Sequence, residues 1–133
     1  MGWNLHLSVV KGRTTADLAA LGMFGLADDP ITAEEATGLA SPAVAQAGED
    51  LLFIDGSMIA TQFNAVLAAK LGAPVVTGLF SSVTDTYVWT VLHPDGSHET
   101  EAVGDEDALF DLLEQRTDLD EDWLDLPAHA LVG

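Results

Sequence analysis

The chain has 133 residues, no cysteine, and 22 aspartates and glutamates against 4 lysines and arginines, which gives a net charge of −18. The length favours a single domain over residues 1–133, and an apolar fraction of 48% excludes a disordered chain. The absence of cysteine excludes disulfide scaffolds, thiol catalysis and zinc fingers. The excess of acids argues against direct binding of nucleic-acid phosphates.

The N-terminal third predicts a strand and two helices. Residues 3–10 alternate between apolar and polar side chains, as in a half-buried strand whose polar face carries Asn4, His6 and Ser8. Thr14 or Thr15 can cap a helix over about 15–22. Thr32 and Glu35 have the spacing of a capping box, which predicts a second, short helix.

The middle of the chain predicts a buried strand and the longest helix. Residues 51–54 form a continuous apolar run, which is typical of a buried strand. Ser57 can cap a helix over 58–71, in which the apolar residues recur at helical spacing. Gly72 then stands at the position of a C-terminal cap.

The C-terminal half predicts a β-meander, a helix and a tail that packs back on the body. The three strands are expected at 75–80, 86–92 and 98–103. Glu99 and Glu101 share one face of the last of these, which suits an edge strand because charge blocks edge-to-edge pairing. A helix is expected over about 106–115, with Asp105 as its cap, before the tail 118–133.

These elements predict an α+β fold: a single two-layer domain with an about five-stranded, mostly antiparallel sheet and helices packed on one face. The short links between the last three strands require antiparallel hairpins. No apolar stretch is long enough to span a membrane, and no signal peptide precedes the first strand. We therefore expect a cytoplasmic protein that does not contact membranes.

Catalytic and metal-binding motifs are not found in the sequence. There is no phosphate-binding glycine loop and no serine-nucleophile elbow. The acidic segment 118–122 lacks the glycine and the final glutamate of a calcium loop. Asp55, Asp85 and His6 could serve a carboxylate-based enzyme, which is one alternative. We expect no catalytic residues, no metal and no cofactor.

The distribution of the acids is the strongest functional signal. Residues 99–125 hold 12 of the 22 acids, opposed only by Arg116. One interpretation is a solvated face that only keeps the protein soluble. The other, which we favour, is a docking face on a non-enzymatic protein, monomeric when free, that occludes a basic cleft of a protein partner such as a toxin. The residues expected to contact the partner are Glu99, Glu101, Asp105, Asp107, Asp111, Asp118, Asp120 and Asp122.

A further alternative uses the same charge physics. A DNA mimic or phage-type inhibitor would present its acids to a host protein that binds nucleic acid, with carboxylates in rows at phosphate-like spacing.

One stretch resembles small acidic bacterial proteins. It comprises Leu79-Phe80-Ser81-Ser82-Val83-Thr84-Asp85-Thr86-Tyr87-Val88-Trp89 and the following Asp95-Gly96 turn. Many such proteins are uncharacterised, and some are regarded as immunity proteins of polymorphic toxin systems. The resemblance covers about residues 75–103 and carries no catalytic residues. It implies a non-enzymatic α+β domain, of the immunity or antitoxin-like kind, that binds a cognate toxin through an acidic face.

Overall fold

An antiparallel sheet forms the centre of the molecule. We analysed a computed structural model, which describes residues 4–22, 25–38, 42–55 and 67–132. Within these ranges the sheet has nine strands in the order β2-β9-β4-β5-β1-β6-β7-β8, and β3 also pairs with β9. The strands are β1 Asn4–Val10, β2 Gly25–Leu26, β3 Ile31–Thr32, β4 Ala43–Ala47, β5 Asp50–Asp55, β6 Val75–Ser81, β7 Thr86–Leu92, β8 His98–Ala102 and β9 Pro127–Val132.

Three of the described helices begin at capping residues that the sequence predicts. Thr14 and Thr32 each form a complete capping box, with Asp17 and Glu35 respectively. Asp105 accepts a hydrogen bond from the Ala108 amide at the start of the last α-helix. The helices are α1 Thr15–Ala20, α2 Ala33–Ala36, α3 over 67–71, α4 Glu106–Arg116 and a 3-10 helix Trp123–Asp125. The predicted Ser57 cap and the first part of the 58–71 helix lie outside the described residues.

The α+β fold and the antiparallel β6–β7–β8 meander are confirmed, whereas the prediction of about five strands is wrong. Residues 43–47 form β4 although three of the five are alanine, which has low strand propensity. The predicted tail contains β9, which pairs with β4 and β3. Both strands are specified by their neighbours in the sheet rather than by local propensity.

The prediction that helices cover only one face of the sheet is also wrong. One apolar cluster packs α2, α4 and the 3-10 helix against one face, through side chains such as Ala33, Leu109 and Trp123. A second cluster packs α1 and α3 against the opposite face, through Leu18 and Leu67. The central strand β1 lies between β5 and β6, and its residues 5–10 are all buried. The sheet is therefore sandwiched, and β1 is not half-buried as predicted.

Within the part of the chain that is described, no helix has both the length and the apolar character needed to cross a bilayer.

Candidate partner-binding groove

A groove of about 320 Å³ lies between α4 and the segment that follows it. Its apolar residues are Phe110, Trp123 and Leu124, and the four remaining lining residues are all acidic. Three of these acids come from α4 and one from the following turn, and they are Asp107, Asp111, Glu114 and Glu121. The groove thus combines an apolar surface with a rim of negative charge.

The periodicity of α4 explains why these residues meet. Residues 107, 110, 111 and 114 follow the i, i+3, i+4, i+7 spacing that places side chains on one side of a helix. Leu109 and Leu113 lie on a different side and are fully buried against the sheet. The helix therefore faces the core with its leucines and the groove with its carboxylates.

Aromatic packing fixes the position of α4 over the sheet. The ring centroids of Phe80, on β6, and Phe110 are 4.4 Å apart. The Phe110 and Trp123 centroids are 6.1 Å apart across the groove. Gly78 allows this close approach, because a Cβ built there would lie 3.0 Å from a Leu113 methyl carbon and from the Phe80 ring.

The rim carboxylates are not neutralised by the chain's own bases. None of the four forms an ion pair or a hydrogen bond among the described residues. The Lys11 ammonium instead binds Asp50 at 3.0 Å, and the Arg13 guanidinium donates to the Leu71 carbonyl at 2.9 Å. Arg116 lies 5.3 Å from the centroid of the Trp89 ring. Three of the chain's 4 lysines and arginines are thus held elsewhere.

The acids near the start of α4 perturb their neighbours. Burial raises the pKa of Glu106, and the nearby charge of Asp107 raises it further. Burial also raises the pKa of the Tyr87 hydroxyl, with added contributions from Asp85, Glu106 and Asp105. Both shifts have the sign expected in a region of uncompensated negative potential.

The eight acids predicted to contact a partner are all exposed, but the structure divides them among three places. Asp107 and Asp111 line the groove. Glu99 and Glu101 lie on strand β8, directly across from Val91 and Trp89 of β7.

The other four predicted acids belong to the ends of α4 and the following turn. Asp105 caps α4, and Asp118 accepts from the Glu49 amide at 2.8 Å. Asp120 accepts from the amide of Asp122 at 2.9 Å. Three of these carboxylates therefore have local structural roles, which sequence position alone does not distinguish from partner contact.

Two groove residues, Glu114 and Glu121, are absent from the predicted set. Glu114 is seven residues after Asp107, so a helical projection of 106–115 would have placed it beside Asp107 and Asp111. Glu121 has no comparable signal, because the turn that brings it to α4 is not regular structure.

A second polar cluster lies in the interior, on the sheet face that α1 and α3 cover. His6 on β1 and Asp55 on β5 are cross-strand partners, and Ser8 is opposite Thr77 of β6. All four are buried, with His6 only 2% exposed. Burial lowers the pKa of His6, and the charge of Asp55 partly opposes this shift. The His6 Nδ1 and Ser8 Oγ atoms make no hydrogen bond within the described chain.

Metal-ligand geometry is not found in the described ranges, where no group of three or more histidines and acids could hold an ion. His93 Nε2 lies 3.2 Å from a Glu99 carboxylate oxygen across the β7–β8 hairpin. His129 Nδ1 is 2.9 Å from the Ala27 carbonyl oxygen.

Comparison with known proteins adds no functional assignment. No family model matches the chain, and neither the curated proteins nor the solved structures that were searched include a match.

Proposed function

We propose that this chain is a non-enzymatic acidic module that binds a basic protein partner in the groove between α4 and residues 121–124. In its most specific form, the proposal is an inhibitor of the immunity or antitoxin type that occludes a basic cleft of the partner. The observation that carries it is the groove itself, with four carboxylates around Phe110, Trp123 and Leu124.

The composition of the groove fits a cationic segment of a protein better than a free ion. Protein interfaces gain most of their affinity from a few well-packed apolar and aromatic contacts, surrounded by a polar rim. Here Phe110 and Leu124 are partly exposed at the surface of the aromatic cluster. A partner residue with an apolar stem and a cationic end, such as arginine or lysine, matches both parts of the groove.

The net charge of the chain supports rapid association with such a partner. A field from −18 charges accelerates the encounter with a cationic protein and repels anionic competitors, including a second copy of the chain. Lys11, Arg13 and Arg116 contact other groups, so these bases do not neutralise the groove carboxylates.

The proposal is tested by affinity capture from the native lysate at low salt, followed by identification and purification of the captured protein. The groove variant carries Asp111→Asn and Glu114→Gln. The matched control carries Asp28→Asn and Asp29→Asn, which are exposed acids in the loop before β3. Each variant removes two negative charges, so a difference between them reports on the groove and not on net charge.

We expect the groove variant to lose about 1–3 kcal/mol of binding free energy, a factor of about 5 to 150 in Kd, because charged interface contacts are lost. The control variant should retain nearly wild-type affinity. Equal affinities of the two variants would contradict the proposal. If the captured protein binds duplex DNA in competition with this chain, the partner is a nucleic-acid-binding protein and the DNA-mimic form of the proposal is supported.

A carboxylate-based enzyme is the second candidate, and the buried His6–Asp55 pair is the observation that favours it. A catalytic histidine must reach its substrate, whereas His6 is 2% exposed. Diethyl pyrocarbonate distinguishes the two candidates, because it modifies accessible imidazoles. We expect His6 to react far more slowly than the exposed His98, and equal reaction rates would favour the enzyme.

A further inference from the structure

We propose that the edge strand β8 accepts an extended cationic segment of another protein as an additional antiparallel strand. The inference rests on the proposed function in one respect, since both assign a cationic partner to this chain. It concerns a different surface, however, and it adds a binding mode, strand addition, that the groove does not require.

Among the residues that the structure describes, the backbone of β8 is open on one side. There the strand is the last in the sheet and pairs with β7 alone, and its five residues are all exposed. Just outside the two ends of β8, the His93 amide donates to the Ser97 carbonyl and the Val103 amide donates to the Tyr87 carbonyl. Hydrogen-bonded pairs alternate along an antiparallel ladder, so Glu99 and Glu101 bond to β7. The amides and carbonyls of His98, Thr100 and Ala102 therefore point away from the sheet.

The side chains of β8 reject a second copy of the same strand. Two β8 strands related by a twofold axis through Thr100 would place Glu99 directly opposite Glu101 of the other copy. Shifting the register by two residues in either direction places Glu101 opposite Glu101, or Glu99 opposite Glu99. Carboxylates that face each other across strands are destabilising. Every antiparallel self-pairing of three residues or more in which the outward amides and carbonyls face each other thus carries a repulsive pair.

The same pattern selects a strand of opposite charge. Glu99 and Glu101 occupy the positions where side chains on an added strand come closest, because these pairs would lie between the new backbone bonds. Lysine or arginine at alternate positions of the incoming strand would face both carboxylates. Glu101 has no ion pair among the described residues, while Glu99 lies 3.2 Å from His93. Cationic side chains can therefore bind Glu101 without displacing a contact.

The probe is a short synthetic peptide in which lysine and threonine alternate. Its binding is followed by anisotropy of a fluorescent label and by residue-resolved amide exchange of the intact chain. We expect peptide binding to slow exchange at His98, Thr100 and Ala102, whose amides point outward. Exchange at Glu99 and Glu101 should change little, because the ladder with β7 already protects these amides.

A matched peptide separates strand addition from nonspecific attraction to an acidic protein. N-methylation at alternate residues preserves the peptide's charge but removes the donors along one edge. The threonines of the peptide lie opposite His98, Thr100 and Ala102, so their amides face β8. We expect N-methylation of the threonines to weaken binding at least about tenfold. Equal binding of both peptides, or binding without added protection of the three outward amides, would overturn the inference.

Two variants of the chain complete the test. Thr100→Pro removes one outward amide donor. The hydrogen bonds to β7 come from the neighbouring Glu99 and Glu101, so they are kept, and edge strands tolerate proline in that orientation. We expect this variant to lose the peptide-induced protection, as does the double variant Glu99→Lys with Glu101→Lys. The groove variant Asp111→Asn with Glu114→Gln should keep the protection. This expected result does not depend on whether the groove binds a partner. The strand-addition proposal and the groove proposal are therefore tested independently.

Discussion

At the scale of single residues, Asp50 links three segments that are distant in sequence. Its carboxylate accepts from the Lys11 ammonium at 3.0 Å, the Gly12 amide at 2.8 Å and the Asp118 amide at 2.8 Å. The residue is 2% exposed, so these partners replace water almost completely. Asp50 therefore connects the end of β1, the β4–β5 hairpin and the segment that follows α4.

Asp50→Asn should destabilise the protein by about 2–4 kcal/mol, because the amide group cannot accept all three hydrogen bonds and leaves buried donors unpaired. Urea unfolding at neutral pH measures the change. Asp29→Asn, at an exposed position, is the control and should change stability by less than about 0.5 kcal/mol. Similar values for the two variants would show that the Asp50 contacts contribute little.

His6 predicts a pH dependence of stability with a definite sign. Burial lowers its folded pKa, so the unfolded chain binds a proton more readily than the folded one. The contribution of neutral His6 to stability is then fully present above the unfolded pKa of about 6.5. It is lost as the pH falls below about 6.5 towards the folded pKa. His6→Gln should lose less stability than the wild type between pH 7.5 and 5.5, by roughly 1 kcal/mol. Identical pH profiles in urea unfolding would contradict this assignment.

At the scale of secondary-structure elements, sequence reasoning succeeded where the local signal was strong. The capping residues Thr32 and Asp105 and the strand over 86–92 are found where they were predicted. Strands β4 and β9 have no such signal, because their alanines and Pro127 are compatible with strand only when neighbouring strands are present. The burial of both faces of β1 was also not predictable, because polar residues such as His6 and Ser8 indicate a solvent-exposed face when the strand is considered alone.

The candidate site was partly predictable for the same reason. An acidic stretch is visible in composition, but its division into cap, turn and groove residues depends on contacts across the fold. Asp118 illustrates this, because its bond to the Glu49 amide joins residues far apart in sequence. Asp107 and Asp111 could be placed on one helix side from spacing alone, whereas Glu121 required the path of the chain after α4.

The β4–β5 hairpin gives a prediction at this scale. Gly48 has φ +61°, and a Cβ there would lie 2.8 Å from Asp118 Cβ. Gly72, after α3, has φ +64° and open space around it. Gly48→Ala should lower the free energy of unfolding by about 2–3 kcal/mol, and Gly72→Ala by about 1 kcal/mol. Alanine is strained at positive φ in both positions, but only the Gly48 variant also displaces Asp118. Thermal unfolding compares them, and equal costs would exclude the Asp118 contact as a cause.

At the scale of the whole molecule, a net charge of −18 on an accessible surface of 6588 Å² opposes the folded state. The only ion pair between a lysine or arginine and an acid in the described ranges is Lys11–Asp50. Repulsion among the remaining carboxylates is long-ranged and is screened by salt. The energy of this repulsion is the cost of a surface that attracts cations.

Salt should therefore stabilise the isolated protein. Raising NaCl from low to molar concentration should increase the free energy of unfolding by about 1 kcal/mol and Tm by roughly 3–6 °C, because screening weakens repulsion among exposed carboxylates. An equal osmolality of sucrose provides the control for effects other than screening. A Tm that is independent of NaCl, or that falls, would show that the acids do not repel one another appreciably.

The most direct test of partner binding in the groove is the association rate of the captured partner, measured over a series of salt concentrations. For Asp111→Asn with Glu114→Gln, we predict slower association at low salt, a weaker dependence on salt and faster dissociation than for Asp28→Asn with Asp29→Asn. If the two variants associate and dissociate alike at every salt concentration, the groove between α4 and residues 121–124 is not the binding site.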